Sequence, residues 1–108
     1  MKTNLSAGLM FAVLAVAAPN AGAADAAQAE ALAKKYNCLQ CHSADKKILG
    51  PSYKDVAKKY KGNKDARALL VKNVKAGSKG IWGAIPMPAN DKVSDAEAAT
   101  LVEWILSM

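Results

Sequence analysis

Cys38 and Cys41, three residues apart and followed at once by His42, constrain this chain more than any other feature, because they are its only two cysteines and its only histidine. The run Cys38-Leu39-Gln40-Cys41-His42 is C-x-x-C-H, the attachment signature of c-type haem. On a helix, residues three apart lie about 60° apart around the axis and roughly 4.5 Å along it, so both sulfurs would face one way. From that face they can form thioethers to two haem vinyl groups while the adjacent imidazole is offered to the iron. Three other chemistries compete. A plain disulfide gives no reason for a histidine to follow directly. A thioredoxin-like thiol site needs a βαβ context, and no alternating strand pattern surrounds these residues. Zinc needs four ligands, and two cysteines with one histidine leave a carboxylate to be found.

A covalently held apolar group would also supply what the composition lacks. Residues 1–23 carry one charge, Lys2, followed by an uncharged apolar run over 7–18, then Pro19 and the small residues Ala21, Gly22 and Ala23. That order reads as a signal peptide cleaved after Ala23, and the apolar run is too short for the roughly 20 residues of a spanning helix. A single domain is then expected over residues 24–108, with no stable membrane insertion once the leader is gone. In those residues Leu, Ile and Val together number only 16, matched by 16 alanines. This is close to the composition at which a charged chain fails to fold unaided, so a staple or a large apolar ligand is needed.

Ligand counting sharpens the reading. With His42 taken as the proximal ligand, no second histidine exists to bind the iron from the other side. Met108 sits at the fraying end of an apparent helix. Met87 lies between Pro86 and Pro88, whose fixed φ angles forbid helix and stiffen the loop that would present its thioether. A lone methionine is more often core filler, but the flanking prolines and the lack of rivals favour Met87 as the distal ligand.

The remaining pattern is helical. Asp25 is expected to cap a first helix with Ala29, Leu32, Ala33 and Tyr36 on its inner face, ending at the cysteine motif. A second helix is expected over 53–60, with Tyr53, Val56, Ala57 and Tyr60 on one face and Gly62 as its stop. Asn63 is expected to cap a third, whose Leu69, Leu70, Val71 and Val74 form an apolar patch before Gly77. The loop over 77–92 holds three of the seven glycines and two of the four prolines. Ser94 and Glu97 form a capping box for a last helix with Ala98, Leu101, Val102 and Ile105 at helical spacing. Four short helices without strands cannot close a core alone, which makes wrapping a flat apolar ligand the economical architecture.

Taken together, CLQCH, LGPSYKDVAKKY, GSKGIWGAIPMPAN and SDAEAATLVEWIL resemble the small bacterial class I cytochromes c of the cytochrome c-551 (c8) group along essentially all of residues 24–108. The resemblance implies an all-α, four-helix fold wrapped around one haem c. In it Cys38 and Cys41 bind the haem covalently, and His42 and Met87 ligate the iron. It further implies that the Pro51 carbonyl accepts the imidazole N–H, that Trp82 donates its indole N–H to a haem propionate, and that Asn90 approaches the Met87 sulfur.

The function so implied is that of a periplasmic, monomeric shuttle of single electrons. Its acceptor would be a nitrite reductase, a terminal oxidase or a cytochrome c peroxidase, and its donor a quinol-oxidising complex. Six-coordinate iron offers no open position to a substrate, which argues against catalysis. The alternative is a five-coordinate haem enzyme or gas-binding sensor with Met87 displaced. After the leader, fourteen basic residues face nine acidic ones. Lys46, Lys47, Lys79 and Lys92 are expected near the haem edge, where they would steer an acidic protein partner rather than a nucleic acid. Lys58, Lys59, Lys61 and Lys64 are expected on a distant, merely solvated segment.

Overall fold

A computed structural model describes residues 8–13 and 21–108. The leader expected over residues 1–23 therefore lies largely outside the described residues. Among the described residues the regular structure is four α-helices, α1 (Ala21–Lys35), α2 (Tyr53–Lys59), α3 (Ala66–Ala76) and α4 (Asp95–Leu106), with one short 3₁₀ turn at Cys38–Gln40. β pairing is limited to two isolated bridges, His42 with Lys47 and Ser78 with Met87. The all-α expectation is met.

α1 begins at Ala21, four residues before the start expected from Asp25. Three of the four preceding positions are alanine, the least costly helix residue, so the helix extends through them and Asp25 lies inside it rather than at its cap. At the other end Lys34 and Lys35 complement the helix dipole. Asn37 then reverses the chain at φ 60°, a left-handed conformation that asparagine tolerates better than most residues. The cysteine motif follows as a 3₁₀ turn, with the Cys41 and His42 amides both donating to the Cys38 carbonyl at 3.2 and 3.0 Å. This corrects the expectation of an α-helical motif. Cys41 follows as the residue that ends the turn, at φ −116°, and the Cys38 carbonyl takes one three-residue and one four-residue bond.

Three otherwise orphan amides at the start of α2 are all satisfied. The Tyr53 and Lys54 amides donate to the carbonyls of Ser43 and Ala44 at 2.9 and 3.1 Å. Asp55 N–H donates to the hydroxyl of the buried cap Ser52 at 3.1 Å. These bonds tie α2 to the two residues directly after His42. Between α2 and α3, Asn63 does not cap the helix as expected. Its side chain accepts from Asp65 N–H at 2.9 Å and shapes a lead-in turn, and α3 starts only at Ala66. In α3, Leu70 is buried but Leu69 is exposed, so the apolar patch is narrower than expected: positions 70, 71 and 74 already span a stripe about 100° wide, and residue 69 lies about another 100° beyond it.

α4 is the hub and packs against each of the other three helices. Against α1, the fully buried Ala29, Ala33 and Ala98 have no bulk to hold the backbones apart. Leu32, Ala33, Val93, Ala98 and Leu101 form one cluster; Val56, Tyr60, Ala66, Leu70 and Val102 form a second, with Val71 and Val74 touching both. Both clusters are small. The start of α4 carries the expected capping box, Glu97 N–H to Ser94 Oγ and Ser94 N–H to Glu97 Oε1, each at 3.1 Å. Glu97 also accepts from the Tyr36 hydroxyl at 2.9 Å, joining the end of α1 to the start of α4.

The Ser94 amide, then the Tyr36 hydroxyl, hold the Glu97 carboxyl below its ordinary value of 4.5. A carboxylate lowered by folding binds fewer protons in the folded state. Its stabilisation is complete above about 4.5 and is lost as pH falls through the folded value. Glu97→Gln is therefore expected to lower the melting temperature modestly at neutral pH and to flatten its decline below pH 4.5. Melting curves at a series of pH values read this directly, and an acid limb as steep as the parent's would contradict it.

Candidate cofactor site

Among the described residues, a cavity of about 370 Å³ lies between the helices, within the range of cofactor sites. Its wall gathers residues from every part of the domain: Cys38, Cys41 and His42, then Gly50, Pro51 and Tyr53, then most of the loop between Ser78 and Asn90, with Leu101 and Ile105 of α4. All seven residues singled out from the sequence line this one cavity. So do Leu49 and Ile85, which are 55% and 62% exposed, and Ile81. Side chains of that kind facing a cleft describe an apolar wall built to be covered.

His42 is fixed by its surroundings. Its Nδ1 lies 2.7 Å from the Pro51 carbonyl oxygen. A carbonyl can only accept, so Nδ1 carries the proton and the neutral ring keeps its lone pair at Nε2, the atom a metal would take. The Tyr53 ring stacks on the imidazole at 5.3 Å between centroids and 23° between planes. Trp104 of α4 meets Tyr53 edge-on at 5.4 Å. Such pairs contribute about 0.5–1.5 kcal/mol each beyond their burial. Burial, and secondarily the nearby Cys38, push the Tyr53 phenol above its ordinary value.

Cys38 and Cys41 are unpaired thiols, both partly buried. Burial pushes the Cys38 thiol up, partly offset by its own backbone amide and reinforced by Cys41. Redox-active thiols are instead lowered below their ordinary value, so this environment does not suit thiol–disulfide exchange. Nor do the described residues gather three or more His, Cys, Asp or Glu side chains that could hold a metal ion among themselves. The chemistry on offer is two alkylatable sulfurs, one imidazole nitrogen and one thioether around an apolar cleft, a donor set that suits haem c.

Met87 is placed by its backbone. Its N–H and C=O pair with the C=O and N–H of Ser78 at 2.8 and 3.0 Å, closing the loop between them. Asn90 pins the loop to the end of α3, its backbone amide and its Nδ2 donating to the Val74 carbonyl at 3.0 and 3.2 Å. The same Nδ2 reaches the Pro88 carbonyl at 3.4 Å. Asn90 thus holds the segment that carries Met87, and its donors serve carbonyls. Gly77 has φ +79°, and a Cβ there would lie 2.7 Å from the Met87 carbonyl oxygen and 3.0 Å from Ala89 N. Both the dihedral and the space exclude a side chain. Gly77→Ala is expected to cost about 1–3 kcal/mol and to pull Met87 out of position. Chemical denaturation of the haem-loaded protein reads the first effect, and its ferric absorption spectrum reads the second.

Trp82 is 37% exposed on the cavity wall, and the Lys59 ammonium sits 4.7 Å from its ring centroid. This corrects the placing of Lys59 on a distant segment. α2 leads from Tyr53 at the cavity back to its rim, so its last turn stays beside the site. Lys58 and Lys61 do face elsewhere, lining a second cleft with Tyr60 and Met108. Three participants escaped the sequence reading. Ser52 was detectable, because Ser52-Tyr53-Lys54-Asp55 has the spacing of a side-chain cap. Gly50 and Lys59 carry no local signal, since their roles depend on where His42 and Trp82 come to rest.

Residues 26–108 match the family described as Cytochrome c. The chain is 47% identical over 98 residues to cytochrome c-551 of Pseudomonas aeruginosa, covering 91% of this chain and 93% of that protein. Among solved structures, wild-type cytochrome c552 of Nitrosomonas europaea matches with a TM-score of 0.71 and 50% identity, over 72% of this chain and 96% of that one. The class 1 cytochrome MtoD of Sideroxydans lithotrophicus matches with a TM-score of 0.68 and 41% identity, over 77% and 95%.

Proposed function

Because the chain belongs to the cytochrome c family, with the all-α fold of class I members, we propose that it is an exported carrier of single electrons holding one haem c. The observation that carries this reading is the His42–Pro51 hydrogen bond, which leaves Nε2 free in a cavity that also holds Cys38, Cys41 and Met87. Haem, when bound, supplies a one-electron iron couple. Cys38 and Cys41 would tether it through thioethers, and His42 Nε2 and the Met87 sulfur would ligate its iron. The Pro51 carbonyl holds the imidazole in the ligating tautomer and raises its basicity. A thioether ligand from Met87 beside the His42 imidazole would bias the couple toward the reduced state. Trp82 would donate its indole N–H to a propionate, while Asn90 keeps the Met87 loop closed. Leu49, Ile81 and Ile85 exclude water from the cleft.

With His42 and Met87 both ligating the iron, no position would remain for a substrate, which supports a carrier rather than an enzyme. Parent protein that bound carbon monoxide readily when reduced at neutral pH would favour the five-coordinate enzyme or sensor instead. Export to the periplasm, with cleavage after Ala23, is supported by the leader composition. It is also supported by the match to the Pseudomonas aeruginosa protein, which extends over 98 of 108 residues and so reaches into that segment. No described helix is long and apolar enough to cross a membrane. The proposed acceptors are a nitrite reductase, a terminal oxidase or a cytochrome c peroxidase, and the proposed donor is a quinol-oxidising complex.

Lys79 lines the cavity and the Lys59 ammonium lies over the Trp82 ring, so positive charge gathers where such partners would dock, and Lys47 is bridged by its backbone to His42. Transient electron-transfer contacts are small and draw on charge for encounter rate. With an acidic partner, transfer is expected to slow as the screening length falls from roughly 30 Å at 0.01 M salt to 10 Å at 0.1 M. Reversing Lys46 and Lys47 should slow it about tenfold at low salt, and reversing Lys61 and Lys64 far less. Stopped-flow rates against salt for both pairs check this. A flat response, or equal loss from both, would assign docking to the apolar rim.

A further inference from the structure

We propose that Tyr53, braced by Trp104 and assisted by Gly50, sets the rotation of the His42 imidazole and so the orientation of the axial ligand plane at the iron. The inference rests on the haem reading above. The Pro51 bond fixes only the direction in which Nδ1 points; the ring can still tilt about that direction. Two further contacts remove the tilt. The first is the near-parallel Tyr53 ring, 23° from the imidazole plane. Tyr53 is itself unable to give way. It is 3% exposed, its backbone amide is tied to the Ser43 carbonyl at 2.9 Å, and its ring abuts Trp104. The second is Gly50, where an added Cβ would fall 2.6 Å from His42 Cε1, 2.9 Å from Nδ1 and 3.2 Å from Nε2. Because both nitrogens are scarcely farther than Cε1, that approach is onto the ring face rather than its edge. The Gly50 amide donates to the Cys41 carbonyl at 2.8 Å, which anchors the backbone that makes the contact.

Each element of this brace reaches His42 from a different origin: a loop glycine, the first residue of α2, and behind it a tryptophan of α4. Tyr53 is a positioning residue, acting through the imidazole without reaching the iron itself. It is the ring that stacks, so phenylalanine should serve as well as tyrosine and an aliphatic side chain should not. Ferric low-spin haem reports the direction of its axial imidazole plane in the anisotropy of its electron paramagnetic resonance and in the spread of its haem-methyl proton shifts.

The test compares the haem-loaded parent with Tyr53→Phe, Tyr53→Leu and Gly50→Ala by both methods. Tyr53→Phe is expected to keep the parental g values and methyl shifts. Tyr53→Leu and Gly50→Ala are expected to displace both by more than the parental linewidth while retaining covalent haem. A parental signature in Tyr53→Leu would overturn the proposal, as would a Tyr53→Phe signature displaced as far as the leucine variant's. If Tyr53→Leu fails to accumulate, the remaining two variants decide: the proposal stands on a displaced Gly50→Ala beside a parental Tyr53→Phe and falls otherwise. A parent protein with no low-spin ferric signal would overturn the ligand assignment and this inference with it. A normal parent with unresponsive variants would overturn the inference alone.

Discussion

Cys38→Ala combined with Cys41→Ala is expected to give a colourless chain that has lost most of its helical circular dichroism and its cooperative melting. The two apolar clusters behind the cavity hold ten residues, three of them alanine, so the helices bury little against one another. Outside those clusters, Leu49, Ile81, Ile85 and Ile105 also face the cleft, where they line it beside Val56, Leu70 and Leu101. Without a bound group that surface meets water, at a cost of about 25 cal/mol for each Å² left uncovered. Domains of this size have only about 5–15 kcal/mol of stability to lose. Circular dichroism before and after haem loading measures the effect. A colourless double variant with the parent's helicity and melting would show that the protein core closes without its ligand.

Met87→Ala should leave the fold in place and change the iron. The Ser78 pairing uses the Met87 backbone alone, and Asn90 holds the loop through carbonyls, so removing the side chain opens a coordination position without collapsing the loop. The expected result is loss of the weak far-red band of the ferric protein and ready binding of carbon monoxide by the ferrous form. The reduction potential should fall by about 0.1–0.2 V, a fraction of the roughly 0.8 V that axial ligands span. Met108→Ala is the control. Met108 is 38% exposed and belongs to the second cleft, between α2 and the end of α4. Parental behaviour in Met87→Ala with altered behaviour in Met108→Ala would reverse the ligand assignment.

The features legible in the sequence are those whose physics is local. Ser94 and Glu97 announce the start of α4 because both partners of the capping box lie within one turn. Gly62 and Gly77 announce helix ends because φ near +78° is open to glycine at little cost. The proline-flanked Met87 stands out because its stiffness is written into its neighbours. Elsewhere the local rules were overridden. Asn63 has cap chemistry, yet it spends its side chain on a turn before α3. Leu69 is as apolar as Leu70 but is exposed, since positions 70, 71 and 74 already span the stripe that packs on the core. The cysteine motif tightens to a 3₁₀ turn because Asn37 breaks α1 just ahead of it.

The setting of His42 was the least legible part of the site. A glycine, a carbonyl and an aromatic ring have no sequence signature as a group. They come together because the α2 amides bond back to Ser43 and Ala44, folding residues 50–53 onto the imidazole. Lys59 reaches Trp82 by the same route, across a separation that no periodicity spans.

The central claim is that Cys38, Cys41, His42 and Met87 together hold one haem. It is tested most directly by the visible absorption of purified protein, oxidised and reduced, before and after acid–organic extraction. The account predicts the sharp split bands of a low-spin ferrous haem, a weak far-red band in the ferric state, and colour that stays with the polypeptide through extraction. A colourless protein from cells competent to mature c-type haem, or colour that passes into the organic phase, would contradict it.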